Sequence, residues 1–209
     1  MNPSFQAAQL VPSSLDEETA RAEIYGLLAA LYYAPPADEL IAKLSVAVTE
    51  APAAGAMLEA SWGELVAAAR RLTPAEIGRE YDAVFGGVGK PDVYLFGSHY
   101  LSGFLNEKPL AALRTELAAL GLARDEAMPE TEDHLAYLCE VMRYLIAGDD
   151  VEVANLTRQR EFFTRHLQPW TAVLCDAVIA HPKADFYRSL AGFTQAFISV
   201  ETQGFDMLV

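Results

Sequence analysis

The chain has 209 residues, enough for one domain with a sizeable core, and 52% of them are hydrophobic against 21% charged, which excludes a disordered protein. With 29 acidic and 15 basic residues its formal net charge is −14. A field of this sign disfavours nucleic acid and anionic membranes as partners and favours basic ligands.

We expect a flexible tail over residues 1–14 and then a single all-α domain of about nine to ten helices over residues 15–209. Apolar residues at three- and four-residue steps predict the helices, and proline, glycine and N-cap residues predict their ends. The predicted helices run from a capping box at Ser14–Glu17 to Pro35, over 37–48, over 53–72, from Thr73 to Gly86, from near Tyr100, from Pro109 to Gly121, from Pro129 to Gly148, from about Asp150, from Pro169, and over 183–203.

The segment 86–100 is the longest stretch without a helical pattern, and it is rich in glycine and aromatic residues. Its short run 93–96 has the composition of a strand, but no other stretch offers a partner, so we expect no sheet. Irregular segments of this length in compact domains often carry function. Tyr94 and Tyr100 lie within it, and Tyr81 and Phe85 precede it, so these four aromatic side chains are candidates for a binding surface.

An acidic cluster marks the start of the helix predicted from Pro129. Glu130, Glu132 and Asp133 would occupy its first turn, with His134 one turn inside. The partial positive charge of a helix start favours acidic residues, but one or two are enough. Three acids and a histidine exceed what a helix start needs, so these residues indicate a functional site.

Two sequence patterns resemble parts of enzyme sites. The run 87–90 does not form a phosphate loop, because Pro91 occupies the position that needs serine or threonine. Glu130 and His134 are four residues apart and could share a metal or cofactor, with His99 as a third group. A metal- or cofactor-dependent α-helical enzyme therefore remains an alternative.

The aromatic segment and the acidic cluster together suit a peptide that is basic at one end and apolar along the rest. Arginine pairs with carboxylates through two parallel hydrogen bonds, and aromatic walls would hold the apolar part. The other interpretation is that the aromatic residues belong to the core and the acids to a solvated helix start. Composition alone favours neither interpretation.

Several segments, in order and spacing, resemble the TorD/DmsD/NarJ family of cytoplasmic redox-enzyme maturation chaperones. The likeness extends over roughly residues 20 to 200. The segments that carry it are Glu80–Phe85, Gly97–Tyr100, Pro129–Ala136, Glu161–Trp170 and Phe186–Phe193.

The resemblance implies an all-helical chaperone without enzymatic turnover or a cofactor of its own. It also implies binding of an immature molybdoenzyme subunit, through its twin-arginine or N-terminal leader peptide, until cofactor insertion and folding are complete. Such a protein would be cytoplasmic and not inserted in a membrane, in agreement with the absence of a secretory signal pattern in the first ten residues. We expect a monomer or a dimer that exchanges helices.

The family's functional positions fall on a subset of the candidate residues, and the residue pattern adds Glu130, Glu132 and Tyr94. The positions that the resemblance implies are Tyr81, Val84, Phe85, Gly97, Ser98, Tyr100, Asp133 and His134. We expect Glu130, Glu132 and Asp133 to bind the leader arginines, and Tyr81, Phe85, Tyr94 and Tyr100 to line a groove for its apolar stretch. The expected peptide-binding set is Tyr81, Val84, Phe85, Tyr94, Gly97, Ser98, Tyr100, Glu130, Glu132, Asp133 and His134.

Overall fold

The computed structural model describes residues 14–49, 57–86, 90–105, 107–125 and 129–207, which form ten α-helices and no named strand. The predicted all-α class is confirmed. None of the helices in these ranges is long and apolar enough to span a bilayer. The helices are α1 (Ser14–Tyr33), α2 (Asp38–Ser45), α3 (Glu59–Arg71), α4 (Pro74–Val84), α5 (Gly97–Ser102), α6 (Lys108–Ala119), α7 (Leu135–Ala147), α8 (Leu156–His166), α9 (Gln168–Ala180) and α10 (Phe186–Asp206).

Helices α1 and α7 form the most extensive helix pair, and they run antiparallel. The ring of Tyr33 at the end of α1 lies 5.8 Å from that of Tyr137 in the first turn of α7, while Gly26 abuts Arg143 further along. On the other side of the core, α10 packs on α9, α3 and α4. Large aromatic side chains fill the space between these layers and bury much of the apolar surface that stabilises the fold; the fully buried ones are Tyr25, Tyr32, Phe162, Phe163, Trp170, Phe186, Tyr187, Phe193 and Phe197.

A buried polar network joins the first helix to the last. Arg21 donates to both carboxylate oxygens of Glu201, over 2.7 and 2.8 Å, and the Tyr25 hydroxyl donates to the same group over 2.9 Å. Because each polar atom of Glu201 has a partner, the carboxylate can lie in the core at 4% exposure without an uncompensated charge.

Glu80 caps α10 from the neighbouring helix α4. Its carboxylate accepts the backbone N–H groups of Asp185, Phe186 and Tyr187, over 2.7, 3.0 and 2.7 Å. The N-cap residue Asp185 makes no side-chain cap of its own and pairs with Arg71 instead. The free N–H groups at the start of α10 are thus satisfied from another helix, which also fixes the position of α4.

Capping residues predicted some helix ends correctly. The helix start expected at Thr73 is confirmed: Thr73 and Glu76 form a reciprocal capping box at the start of α4, with Pro74 at the first helical position. The expected tail lies outside the described residues except for Ser14, which begins α1. The first residues of the helix expected over 53–72 are also outside them, and its described part is α3.

Three expected helix starts were wrong. The helix expected from Pro129 begins at Leu135, because the His134 side chain accepts the Ala136 N–H and caps it there. The helix expected near Asp150 begins only at Leu156, after an Asn155 N-cap. In the segment expected to be irregular up to Tyr100, α5 already begins at Gly97.

Candidate functional site

The ends of α1 and α4 meet at one surface. The Tyr81 hydroxyl, in the last turn of α4, donates to the carbonyls of Tyr33 and Tyr32 at the end of α1, over 2.9 and 3.2 Å. Helix C-termini carry a partial negative charge. Since both helices end here, this surface is suited to a cation.

Three tyrosines and two carboxylates form what we call the acid–tyrosine cluster: Tyr33, Tyr81, Tyr137, Asp82 and Glu130. Burial, and then the nearby Glu130 and Asp82 carboxylates, raise the pKa of Tyr81 to about 12. Burial, the Tyr33 hydroxyl and the Glu130 carboxylate likewise raise the pKa of Tyr137 to about 12. The phenols therefore stay neutral, and Glu130 lies close enough to act on two of them.

Glu130 and Asp82 differ in exposure. Glu130 is half-buried beside the tyrosines, whereas Asp82 is exposed on α4. The Tyr33 side chain is 37% exposed at the rim. A carboxylate partly shielded from water binds a cation more strongly than a fully solvated one, because the dielectric screening around it is lower. The cluster thus combines a shielded acid with accessible aromatic surface.

Val84 and Phe85 lie on the core side of the acid–tyrosine cluster. Val84 is fully buried. The Phe85 ring packs edge-on against Tyr187, with centroids 5.0 Å apart, and lies 5.3 Å from Tyr81. Both residues were expected to contact the ligand; in the structure Val84 lies in the core and Phe85 packs against the ring of Tyr81.

Asp133 connects the acidic segment to α5. One oxygen of its carboxylate accepts the Ser98 N–H over 2.9 Å, and the other accepts the Thr131 hydroxyl over 2.7 Å. Its backbone carbonyl accepts the Gly97 N–H over 2.9 Å. Asp133 and Ser98 are 3% and 1% exposed, so they lie beneath the surface and position it.

A single antiparallel bridge between Phe96 and His134 completes this connection. The Leu135 N–H donates to the Leu95 carbonyl over 2.8 Å, on the other side of the bridge from the Gly97 contact. The short strand-like run seen in the sequence therefore has a partner, which is the acidic segment itself. Backbone hydrogen bonds from Gly97 to Asp133 and from Leu135 to Leu95 therefore hold the segment before α5 against the acidic segment before α7.

His134 is a buried N-cap. Its Nδ1 accepts the Ala136 N–H over 3.2 Å, and its ring lies edge-on to Phe96 with centroids 5.1 Å apart. Burial lowers the pKa of His134 to about 4, against a smaller opposite effect of Asp133. A neutral imidazole is required, since Nδ1 must accept and not donate.

Tyr94 and Tyr100 belong to an aromatic stack beside α5. The Tyr94 and His99 rings stack at 4.2 Å, and Tyr100 stacks on Trp170 at 5.5 Å. The Tyr100 hydroxyl donates to the Tyr94 carbonyl over 2.8 Å. A Cβ at Gly97 would lie 3.0 Å from Nε1 of Trp170, so only glycine allows this close approach. Each of these two tyrosine rings therefore has an aromatic partner within the chain.

Glu132 already has an arginine partner within the chain. Arg114 of α6 donates to both of its oxygens, over 2.9 and 3.0 Å. Burial alone would raise the pKa of Glu132, but the hydrogen bonds from Arg114 outweigh it and keep the pKa below its ordinary value. Of the three expected arginine-binding acids, only Glu130 combines partial exposure with a place in the acid–tyrosine cluster.

The alternative interpretation, a metal site that includes Glu130, His134 and His99, has no matching cluster in the described residues. They contain no group of three or more histidine, cysteine or acidic side chains that could hold a metal ion. His134 uses Nδ1 for its own helix cap, and His99 stacks on Tyr94.

Sequence reasoning missed three members of the acid–tyrosine cluster: Tyr33, Asp82 and Tyr137. Tyr137 follows His134 by three residues, and it falls outside the main apolar face of α7, which is a detectable signal. Tyr33 directly precedes the Ala34-Pro-Pro helix stop, where a large aromatic side chain at a helix end is also unusual. Nothing in the sequence indicated that these two positions meet.

Comparison with known proteins identifies relatives of this chain. A family model described as nitrate reductase delta subunit matches residues 51–176, more than half of the chain. Proteins named chaperone protein TorD from two Vibrio cholerae O1 strains, O395 and N16961, are 26% identical over 205 and 204 residues, covering 90% of this chain and 93% of theirs. A protein of that name from Vibrio parahaemolyticus is 25% identical over 135 residues, covering 61% of this chain and 63% of its own.

The fold also has a counterpart among solved structures. A crystal structure of a protein from Archaeoglobus fulgidus, provisionally named a redox enzyme maturation protein, superposes with a TM-score of 0.55 at 15% identity. The match covers 95% of this chain and 98% of that one. At this identity the likeness concerns the fold alone.

Proposed function

This chain belongs to the nitrate reductase delta subunit family, and on that premise we propose that it is a redox enzyme maturation chaperone and not an enzyme. It binds an immature molybdoenzyme subunit, through a twin-arginine or N-terminal leader peptide, until cofactor insertion and folding are complete. The curated relatives that bear the name chaperone protein TorD support the chaperone role.

The observation that carries the proposal is a set of three tyrosines at the end of α1, with the Tyr33 and Tyr137 rings 5.8 Å apart and the Tyr81 hydroxyl 2.9 Å from the Tyr33 carbonyl. The charge of the half-buried Glu130 acts on this set, since it raises the pKa of both Tyr81 and Tyr137. A guanidinium group is planar, always charged and able to donate two parallel hydrogen bonds to one carboxylate. Its faces also pack well on tyrosine rings. An arginine is therefore the side chain that the acid–tyrosine cluster fits best.

Two further features of this surface favour the binding of arginine. Asp82, which follows Tyr81 in the sequence and is exposed, offers a second carboxylate to a neighbouring arginine. The carbonyl ends of α1 and α4 favour positive charge within about one helical turn. A pair of adjacent arginines thus finds two acids and two helix ends on one surface, which is the reason for proposing a twin-arginine ligand.

A net charge of −14 supports fast capture of such a ligand. Long-range attraction raises the rate at which a basic peptide meets an acidic surface, and salt weakens this effect. The protein acts in the cytoplasm as a single helical domain, either as a monomer or as a helix-exchanged dimer, before the client enzyme is exported or assembled.

The test is calorimetric titration with a twin-arginine leader peptide at two salt concentrations. We expect micromolar or tighter binding that weakens as salt increases. Glu130→Gln keeps the shape of the side chain and removes its charge, so we expect it to lower the affinity about 10- to 100-fold, as for loss of a charge-assisted pair.

The matched control is Glu23→Gln. Glu23 is an exposed acid on α1, ten residues before Tyr33 and therefore about 15 Å away along the helix. It changes the net charge by the same amount, so it should alter affinity less than about twofold. Equal effects of the two substitutions would mean that only overall charge matters and that the acid–tyrosine cluster is not the arginine site.

A further inference from the structure

A groove lies beside the acid–tyrosine cluster, between the end of α6 and the outer face of α7. Its volume is about 560 Å³, which is in the range of ligand-binding clefts. Leu117 and Leu122 form one wall, and Val141, Tyr144 and Ala147 form the other. The walls are thus mainly apolar, although they are open to solvent.

The α7 wall is a second apolar stripe on that helix. Tyr137, Val141, Tyr144 and Gly148 follow each other at four-, three- and four-residue steps, which places them on one face. The core face is a different one and includes the fully buried Leu138. Tyr144 is 41% exposed. Tyr137 and Val141 are half-buried, so the stripe presents part of its apolar surface to solvent. Contiguous exposed apolar surface is a feature of docking sites.

The length of the stripe defines how much peptide it can hold. From Tyr137 to Gly148 the helix rises about 16 Å, at 1.5 Å per residue. This distance fits about five residues of an extended peptide or about eleven residues of a helical one.

Tyr137 connects the groove to the acid–tyrosine cluster, because it lines the groove and its ring also packs 5.8 Å from that of Tyr33. The charges at the rim of the groove are balanced, because Glu132 is paired with Arg114, and Asp125 and Glu140 are matched in number by Arg124 and Arg143. Arg143 is paired with Glu140 over 2.7 Å. A ligand that has an arginine at one end and an apolar remainder is therefore complementary to the cluster and groove taken together.

We propose that this groove binds the apolar stretch of the client peptide that adjoins its arginines, with the stretch running along α7 from Tyr137 towards Gly148. The inference rests on the function proposed above and assigns the second part of that site. From the sequence we expected this stretch to lie in a groove at Tyr81, Phe85, Tyr94 and Tyr100 instead. In the structure the Phe85 ring packs against Tyr187, the Tyr94 ring stacks on His99 and the Tyr100 ring stacks on Trp170.

The test uses two labelled peptides, one with the arginines and the apolar stretch and one with the arginines alone, in anisotropy titrations. We expect the wild-type protein to bind the longer peptide at least 10-fold more tightly. Val141→Gln keeps helix propensity and makes the groove wall polar, so it should weaken the longer peptide about 10-fold and leave the shorter one unchanged. Val173→Gln, at a 57% exposed position on α9, is the matched control and should change neither.

Ala147→Gln provides a second variant at an exposed position, where a longer side chain narrows the groove and folding is not at risk. It should act like Val141→Gln. If both variants bind the longer peptide like the wild type, the groove assignment is wrong while the chaperone proposal stands. Failure of the wild-type protein to bind either peptide would overturn the proposed function itself.

A second copy of the chain is the other occupant to test. Light scattering at several concentrations reports the oligomeric state of wild-type and Val141→Gln proteins. A dimer that the substitution dissociates, with peptide affinity unchanged, would make the groove a self-association surface and would overturn the proposal.

Discussion

Removal of the Glu80 carboxylate should destabilise the protein more than any surface substitution. Three backbone N–H groups at the start of α10 donate to it, over 2.7 to 3.0 Å, and the side chain is 9% exposed. A hydrogen bond to a charged acceptor contributes about 1.5–3 kcal/mol, and a buried donor left without a partner costs about 1–3 kcal/mol.

The contributions do not simply add, since three donors share two oxygens and water can reach some of them after truncation. We therefore expect Glu80→Ala to lower the free energy of unfolding by about 3–5 kcal/mol. Glu80→Gln retains one oxygen acceptor and loses the charge that favours a helix start, so we expect a loss of about 2 kcal/mol.

Urea unfolding followed by circular dichroism at pH 7 measures both values, with Glu23→Gln as an exposed control that should change stability by less than about 0.5 kcal/mol. Hydrogen exchange adds a local measurement, because the amides of Asp185, Phe186 and Tyr187 should lose protection first. If Glu80→Ala unfolds within 1 kcal/mol of the wild type, with the same denaturant dependence, the cap does not stabilise α10 and the reasoning fails.

Two further predictions concern His134 and Asp133, which are buried next to the acid–tyrosine cluster. The pKa of His134 is about 4 in the folded protein against an ordinary 6.5, so between these pH values the unfolded chain binds a proton that the folded chain does not. The free energy of unfolding should therefore fall as pH falls through this range, by up to about 3 kcal/mol. Urea unfolding at several pH values should show this loss, and the loss should be smaller in His134→Asn, which keeps a capping acceptor. Asp133→Asn should cost about 1–3 kcal/mol of stability and change leader affinity less than about threefold, whereas a tenfold loss of affinity at unchanged stability would make Asp133 a direct ligand contact.

Local signals in the sequence predicted the helices, because capping and periodicity act over a few residues. The Thr73–Glu76 box fits this description, since both of its hydrogen bonds close within one turn. The start of α7 was misplaced for the opposite reason. The acidic residues after Pro129 look like a helix start, but the chain there pairs with residues near Phe96, and no local rule reveals a partner so distant.

The candidate site was predictable as a set of motifs and not as an arrangement. The sequence drew attention to Asp133 and His134 as candidate ligand-binding residues. In the structure both side chains are as buried as core residues, and both accept hydrogen bonds from backbone N–H groups. Glu80 stood in a recognised motif, but its role depends on a helix start 105 residues later. Tertiary hydrogen bonds of this kind require the folded structure.

The network that joins Arg21 and Tyr25 to Glu201 has a consequence for synthesis of the chain. Its partners are 180 and 176 residues apart, an unusual separation for a helical protein, in which most contacts are local. On the ribosome, α1 and α7 can pair early, but the guanidinium of Arg21 has no buried carboxylate to meet until the last helix emerges. The closing of the core is therefore a late event, and a nascent chain arrested before residue 201 should remain sensitive to protease at α1.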